Sequence, residues 1–336
     1  MNSSAIIAAI SFFFCPLLCR SQNPADEFFR DNIQDVRRLV AAYAGPFVRG
    51  EGLAIANGWY VTAKPHKPLG FDIMASASSA FLPSGERYFT FIPSEYRNVG
   101  LAQGGEDRIP TFIGHDRPGP ALRAEAGGAA IEFHLPEGVD MPQWSGKTLA
   151  YMPVIQAGLG LIAGTDLKFR YWPEIQIGRT RNKGTGAAIM HDAGQWIPFL
   201  KRLDVHVSLL AGFTRLHSSY DFAGDHSSMN YESLFDIKSR TIQAIVSKEF
   251  SFISIFAGGG WYFIHSDLSY EGEFSLETTG GQILYGTIRP VSVSLNYNSP
   301  LAAAGFRVKA AGMFVHASVG LAKYPFAAAG IGVDIR

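Results

Sequence analysis

Beyond residue 22 this chain contains no cysteine: its only two, Cys15 and Cys19, fall in the first segment. The rest can therefore form no disulfide, no thiolate nucleophile and no Cys-ligated metal centre. Charge is also scarce. Charged residues make up 17% and the formal net charge is zero, which excludes a basic nucleic-acid binder and an acidic disordered chain. No later run reaches about 18 apolar residues, so no transmembrane helix is expected. No repeat at a period of about 20–50 residues occurs, against a propeller or solenoid. Zinc-type His–Glu spacings and G-x-S-x-G are missing. The glycine-rich "GLGLIAGT" and "FAGGGW" neither open a helix nor carry the lysine of a phosphate loop. No cofactor, no metal and no enzymatic activity are expected.

What is present is 47% hydrophobic residues with 36 glycines, 25 phenylalanines and 13 tyrosines, a composition of many turns and aromatic strands. Ala5–Leu18 is an uncharged run too short to cross a bilayer of roughly 30 Å as a helix. With small residues Cys19 and Ser21 before Gln22, residues 1–21 read as a signal peptide. A helix follows. Asn23 suits the N-cap, Pro24 the first position, and Asp26 and Glu27 the first turn. Phe28, Phe29, Ile33, Val36, Leu39, Val40 and Tyr43 share one face, and Gly45-Pro46 is expected to end the helix. Residues 22–50 are thus a helix and plug-like segment, and 51–336 the barrel described next.

From about residue 50 the period drops to two. In "DLKFRYWPEIQIG" (166–178), Leu167, Phe169, Tyr171, Ile175 and Ile177 form one row, while Lys168, Arg170, Glu174 and Gln176 lie opposite. Pro173 cannot donate a ladder bond, so a bend or bulge is predicted beside it. Candidate strands centre near 57, 76, 90, 131, 156, 172, 187, 210, 245, 259, 294, 307, 317 and 331, about fourteen with a range of 12–16. A soluble sandwich also alternates. Three features favour a membrane barrel: segments near the roughly 9–11 residues that cross a bilayer, aromatic pairs at strand ends such as Trp59-Tyr60 and Trp261-Tyr262, and tight turns alternating with long loops. The fold class is therefore all-β, an antiparallel transmembrane barrel with an N-terminal plug.

The segments "NGWYVTAKPHKPLGFDI", "LKFRYWPEI", "MHDAGQWIPF", "QAIVSKEFSFISIFAGGGW" and the closing stretch from Ala303 resemble a family of bacterial outer-membrane barrels that has no established activity. In strand count and N-terminal helix the chain is also similar to the fourteen-stranded long-chain fatty-acid transporters of Gram-negative outer membranes. The ending Ile335-Arg336 departs from the aromatic terminus that assembly machinery reads in such barrels. The resemblance implies an outer-membrane location and, as partners, outer-membrane lipid and the assembly machinery.

Arg or Lys facing lipid at mid-bilayer costs about 2–4 kcal/mol, so the strand charges are expected to line a lumen: Asp72, Lys168, Arg170, Glu174, Gln176, Asp204, His206, Lys248, Arg307 and Lys309. His191-Asp192 reads better as a helix N-cap than as a base and its orienter. The function expected is passive passage of a small solute, hydrophobic ones included, by a monomer that binds no nucleic acid. The alternatives are a non-transporting structural or envelope-complex barrel, and a barrel lipid hydrolase.

Overall fold

A computed structural model describes residues 32–102, 105–126, 129–177, 180–221, 231–278 and 283–335. The expected signal peptide and the start of the expected helix, Asn23–Phe29, lie outside them.

Among the described residues the helix α1 runs Ile33–Ala56, straight through the Gly45-Pro46 expected to end it. An interior proline removes one helical hydrogen bond and costs about 3 kcal/mol. Leu39, Tyr43, Phe47, Val48, Leu53 and Ile55 are each at most 3% exposed, and burying such side chains contributes roughly 1.5–3 kcal/mol apiece. Packing outweighs the proline, and the helix continues.

Strand β1 (Phe71–Leu82) follows, then an insertion over 83–146 with short strands β2 (Tyr88–Thr90), β3 (Val99–Leu101), β4 (Arg108–Pro110), β5 (Leu122–Ala126), β6 (Ala129–Phe133) and β7 (Gln143–Trp144). After it come β8 (Lys147–Leu161), β9 (Thr165–Ile177), β10 (Thr180–Asp192), the one-turn helix α2 (Pro198–Arg202), β11 (Val205–Asp221), β12 (Tyr231–Phe250), β13 (Ile253–Thr278), β14 (Ile283–Ala310), β15 (Met313–Leu321) and β16 (Pro325–Ile335).

The neighbours run β12-β11-β10-β9-β8-β1-β16-β15-β14-β13, and β12 also pairs with β13. All these pairings are antiparallel, so ten strands close a ring, not the fourteen expected. The difference resolves strand by strand. The segment near 57 ends α1 and enters the lumen, and those near 90 and 131 belong to the insertion. The pair near 294 and 307 is one continuous strand, β14. Its "NSPLAAAG" looks like a turn, yet Pro300 simply pairs with Trp261 in register.

The seam joins Phe71 of β1 to Ile335 of β16. At that end β8–β9, β12–β13 and β14–β15 connect by two or three residues, using positive φ at Ala163, Gly164, Ser251, Ala311 and Gly312. The connection 193–204, which holds α2, lies at that end too, and the other end carries the insertion. Strand β6 hydrogen-bonds to the tip of β13, and β7 returns to β8. In ring order β13 stands far from β1 and β8, so the insertion spans the mouth. Phe112 of the insertion packs on Phe47 of α1 and Phe235 of β12, with ring centroids 4.6 and 5.1 Å away.

The start of α1 is tied to this cap. The Asp35 carboxylate accepts backbone N–H bonds from Arg97, Asn98 and Val99 at 2.8–3.3 Å. An Asp35→Ala variant orphans these donors, at about 1–3 kcal/mol. The expected result is faster protease cleavage within 83–146 with the barrel left intact, read as a discrete core fragment on a gel.

On the outside, residues facing away from the lumen make an apolar belt. On β13 it runs Ile253, Ile255, Ala257, Gly259, Trp261 and Phe263, then changes abruptly to His265 and Asp267. Ten residue steps at a tilt of about 40° span ~25 Å, matching the apolar band of a membrane barrel. On neighbouring β11 the belt gives way to Arg215 after Phe213, and on β12 to Arg240 after Ile242.

Candidate functional site

The inward rows close on the chain's own segment. α1 descends from the capped mouth, Asn57 and Gly58 end it, and residues 59–70 continue through the lumen to β1 at the tight-turn end. Three layers hold this plug.

At mid-height lies Trp59, fully buried. Cβ positions built on Gly186 and Gly212 would fall 3.1 and 3.0 Å from its ring, so the wall is glycine where the indole presses on it. The Arg170 guanidinium sits 3.8 Å from the ring centroid of Trp59. Arg170 also donates to Gln156 Oε1 at 2.7 Å and to the Ile55 carbonyl at 3.1 Å. The last turn of α1 has no basic residue of its own. A wall arginine therefore supplies the positive charge and donor that a helix C-terminus lacks. Thr214 donates to the same Ile55 carbonyl at 3.3 Å.

Lower, the extended segment is pinned on β11 and β12. Ser247 Oγ accepts from the Ala63 N–H at 2.9 Å, and Ser208 donates to the Ala63 carbonyl. Lys64 reaches Glu249 at 3.1 Å, and Arg307 meets the same carboxylate at 3.3 Å.

The third layer surrounds His66. Its Nδ1 lies 2.9 Å from Asp166 Oδ2, and its backbone N–H donates to Asp166 Oδ1 at 2.9 Å. Its Nε2 stands 4.0 Å from both Asp72 and Asp334. One imidazole thus faces carboxylates from β1, β9 and β16. Lys168 beside Asp166, at 3.5 Å, and Lys309 beside Asp334, at 2.7 Å, balance the acids. Among the described residues no group of His, Cys, Asp and Glu has the geometry of a metal site.

Of the lumen residues read from the sequence, Asp72, Lys168, Arg170 and Arg307 are buried inside. Lys309 and His206 stand at the lower rim, His206 bonded to Asp192 at 3.3 Å. Asp204 is in the β10–β11 connection with a φ of 52° and is mostly exposed. Four lumen assignments are corrected, Asp204 being the first. β9 carries a bulge between its Trp172 and Ile175 pairings with β10, where Pro173 lies. One extra residue reverses the parity, so Glu174 and Gln176 face outward, Glu174 pairing with exposed Lys183. By the same reversal Ile175 aligns with inward Asn182 instead of meeting lipid; the Ile177 side chain lies outside the described residues. Lys248 falls on the outward row of β12 with Ile242 and Val246, and its ammonium lies 5.5 Å from the Phe250 ring centroid. At the lower rim it can reach past the apolar belt to water. Asp192 opens a short 3₁₀ turn but makes no side-chain cap bond.

Sequence reading did not single out Trp59, His66, Gln156, Asp166, Glu249 or Asp334 as site residues. Asp166 shares the row of Lys168 and Arg170, and that parity was the available signal. Trp59-Tyr60 was expected at a strand end in an aromatic girdle, but both are buried inside the lumen, off any strand; for His66 there was no signal, because it lies on no strand.

Taken together the parts define a closed, helix-plugged antiparallel β-barrel with an apolar outer belt. The chain belongs to a family of unknown function (DUF6588), which matches residues 1–335. No curated protein matches it. Among solved structures it is similar to the translocator domain of the autotransporter NalP from Neisseria meningitidis, at 10% identity and a TM-score of 0.30, covering 81% of this chain and 90% of that one. It is also similar to the transport unit of the autotransporter AIDA-I from Escherichia coli, at 8% identity and 0.27, covering 88% and 98%. The Pseudomonas putida toluene transporter TodX gives 9% identity and 0.14, covering 84% and 92%. Overlaps this loose carry no argument about what the chain does, and the likeness to fatty-acid transporters is not shown. No described helix is long and apolar enough to cross a membrane.

Proposed function

We propose that the protein is a barrel of the bacterial outer membrane that rests closed, its lumen occupied by its own residues 33–70. The observation that supports this reading is the burial of α1 and of Trp59–Ala63 inside a ring whose outer face is an apolar belt ~25 Å tall. The tight turns and the Phe71–Ile335 end of the β1–β16 seam then face the periplasm, and the insertion caps the cell-surface mouth. Passage of a small solute requires the plug to move. The polar attachment of residues 62–66, in contrast to the apolar packing of α1, makes the lower half the movable part. Paired charges can exchange one set of polar partners for water, whereas the apolar half would lose its burial.

The test is conductance in planar lipid bilayers. The full chain is expected to be silent. A variant lacking residues 33–64 is expected to insert and conduct steadily. Steady conductance by the full chain would sink the closed reading. A silent deletion variant that still inserts would show that the wall and cap alone fill the lumen.

A further inference from the structure

The register of β11–β14 stacks the outer face into horizontal rows. Ala211, Ile242, Trp261 and Pro300 form the last apolar row. Next toward the loops come Phe213, Arg240, Phe263 and Asn298, then Arg215, Lys238, His265 and Asn296. His217, Asp236, Asp267 and Ser294 form the row beyond. The cations therefore stand on the membrane side of this band and the carboxylates on the far side.

Ion pairs run through it. Arg215 grips Asp236 with two bonds of 2.8 and 2.9 Å, and Lys238 bridges Asp236 and Asp267 at 3.1 and 3.2 Å. These pairs offset the repulsion of Arg215 and Lys238 directly opposite one another. Arg240 is different. It is exposed, it is flanked laterally by Phe213 and Phe263, and among the described residues it has no ion-pair or hydrogen-bond partner. Three fixed cations thus meet two carboxylates, and the surplus is the one at the edge of the apolar belt.

An unpaired arginine with phenylalanines opposite it on both neighbouring strands, below an ordered basic row, is arranged for an anion at the surface of the lipid. We propose that the outer face of β11–β13, centred on Arg240, binds the phosphate of an outer-leaflet glycolipid. The argument for this occupant is continuity: the acyl chains would lie on the apolar belt that ends one row below, and the phosphate would meet Arg240 with Arg215 and Lys238 behind it. Arginine suits this task because its planar fork presents two donors to phosphate oxygens. This inference rests on the outer-membrane reading above.

Purified protein is placed in nanodiscs of phosphatidylcholine doped with bis-phosphorylated lipid A or with its phosphate-free form, and retained lipid is counted by native mass spectrometry. The wild type is expected to retain the phosphorylated lipid preferentially. Arg240→Gln is expected to lower that retention about five-fold, the effect of one basic residue at an anionic surface, and Arg240→Lys to keep most of it. Equal retention of the two lipids, or wild-type retention by Arg240→Gln, overturns the lipid site. Insertion into undoped phosphatidylcholine is read separately from the heat-dependent gel shift of the folded band. Failure there sinks the membrane reading itself; insertion without phosphate discrimination sinks the site alone.

Discussion

Replacing Trp59 by alanine is expected to lower the stability of the folded barrel by about 3–5 kcal/mol, the usual range for a large buried aromatic. Trp59 is fully buried, and the strands around it cannot collapse into the space because their glycines already touch the ring. The same change removes the surface on which Arg170 lies. Alternatives at Arg170 separate the two effects. Arg170→Met keeps most of the volume but leaves Gln156 Oε1 without its donor and the Ile55 carbonyl with Thr214 alone, the unpaired buried acceptor costing about 1–3 kcal/mol. The pair together is expected to cost less than the sum of the singles by about 1–2 kcal/mol, the size of a desolvated cation–π contact. The measurement is the temperature at which the heat-modifiable band is lost. Strict additivity would mean that Arg170 serves the helix terminus alone.

The second large effect lies on the outside. Ala257 is in the middle of the β13 belt, beside Val246 on β12 and Ala304 on β14. Ala257→Arg is expected to cost about 2–4 kcal/mol in a bilayer, the penalty for a cation at the midplane. Ser292→Arg, on the outward row of β14 above the belt, is expected to cost close to nothing. Unfolding titrations in lipid vesicles read both. Equal costs at the two heights would contradict a membrane at the height of the belt, and this result would not depend on any property of the lumen.

The wall was legible where alternation was unbroken. On β11 a period of two places Leu209 and Phe213 in one row, and the structure has both outside. It failed at Pro173, where the bulge itself was foreseeable from the missing N–H. Its consequence, the reversed parity that turns Glu174 outward, needs the partner strand. Lys248 was misplaced because polarity was equated with the lumen, although a rim lysine can face outward. The plug was legible as a helix but not in length, since no local signal announces that lumen walls will hold Pro46 in a helix. Most of the polar layers were hidden for one reason: His66 meets Asp72, Asp166 and Asp334, and nothing local in a sequence pairs a loop with three separated strands.

The threaded plug also dictates an order of events. Residues 33–70 precede β1, and the ring closes only when β1 meets β16, the first barrel strand and the last. Once that seam has zipped, α1 could reach the cap it bonds only by threading end-on through a ring filled with side chains. Laying the plug in place while the sheet is open avoids that threading, so the wall is expected to assemble around it as staves around a mandrel. A plug peptide supplied later to a finished, empty barrel would have to enter end-on and find the cap at the far mouth. Such a barrel, once opened by deletion, is expected to stay open.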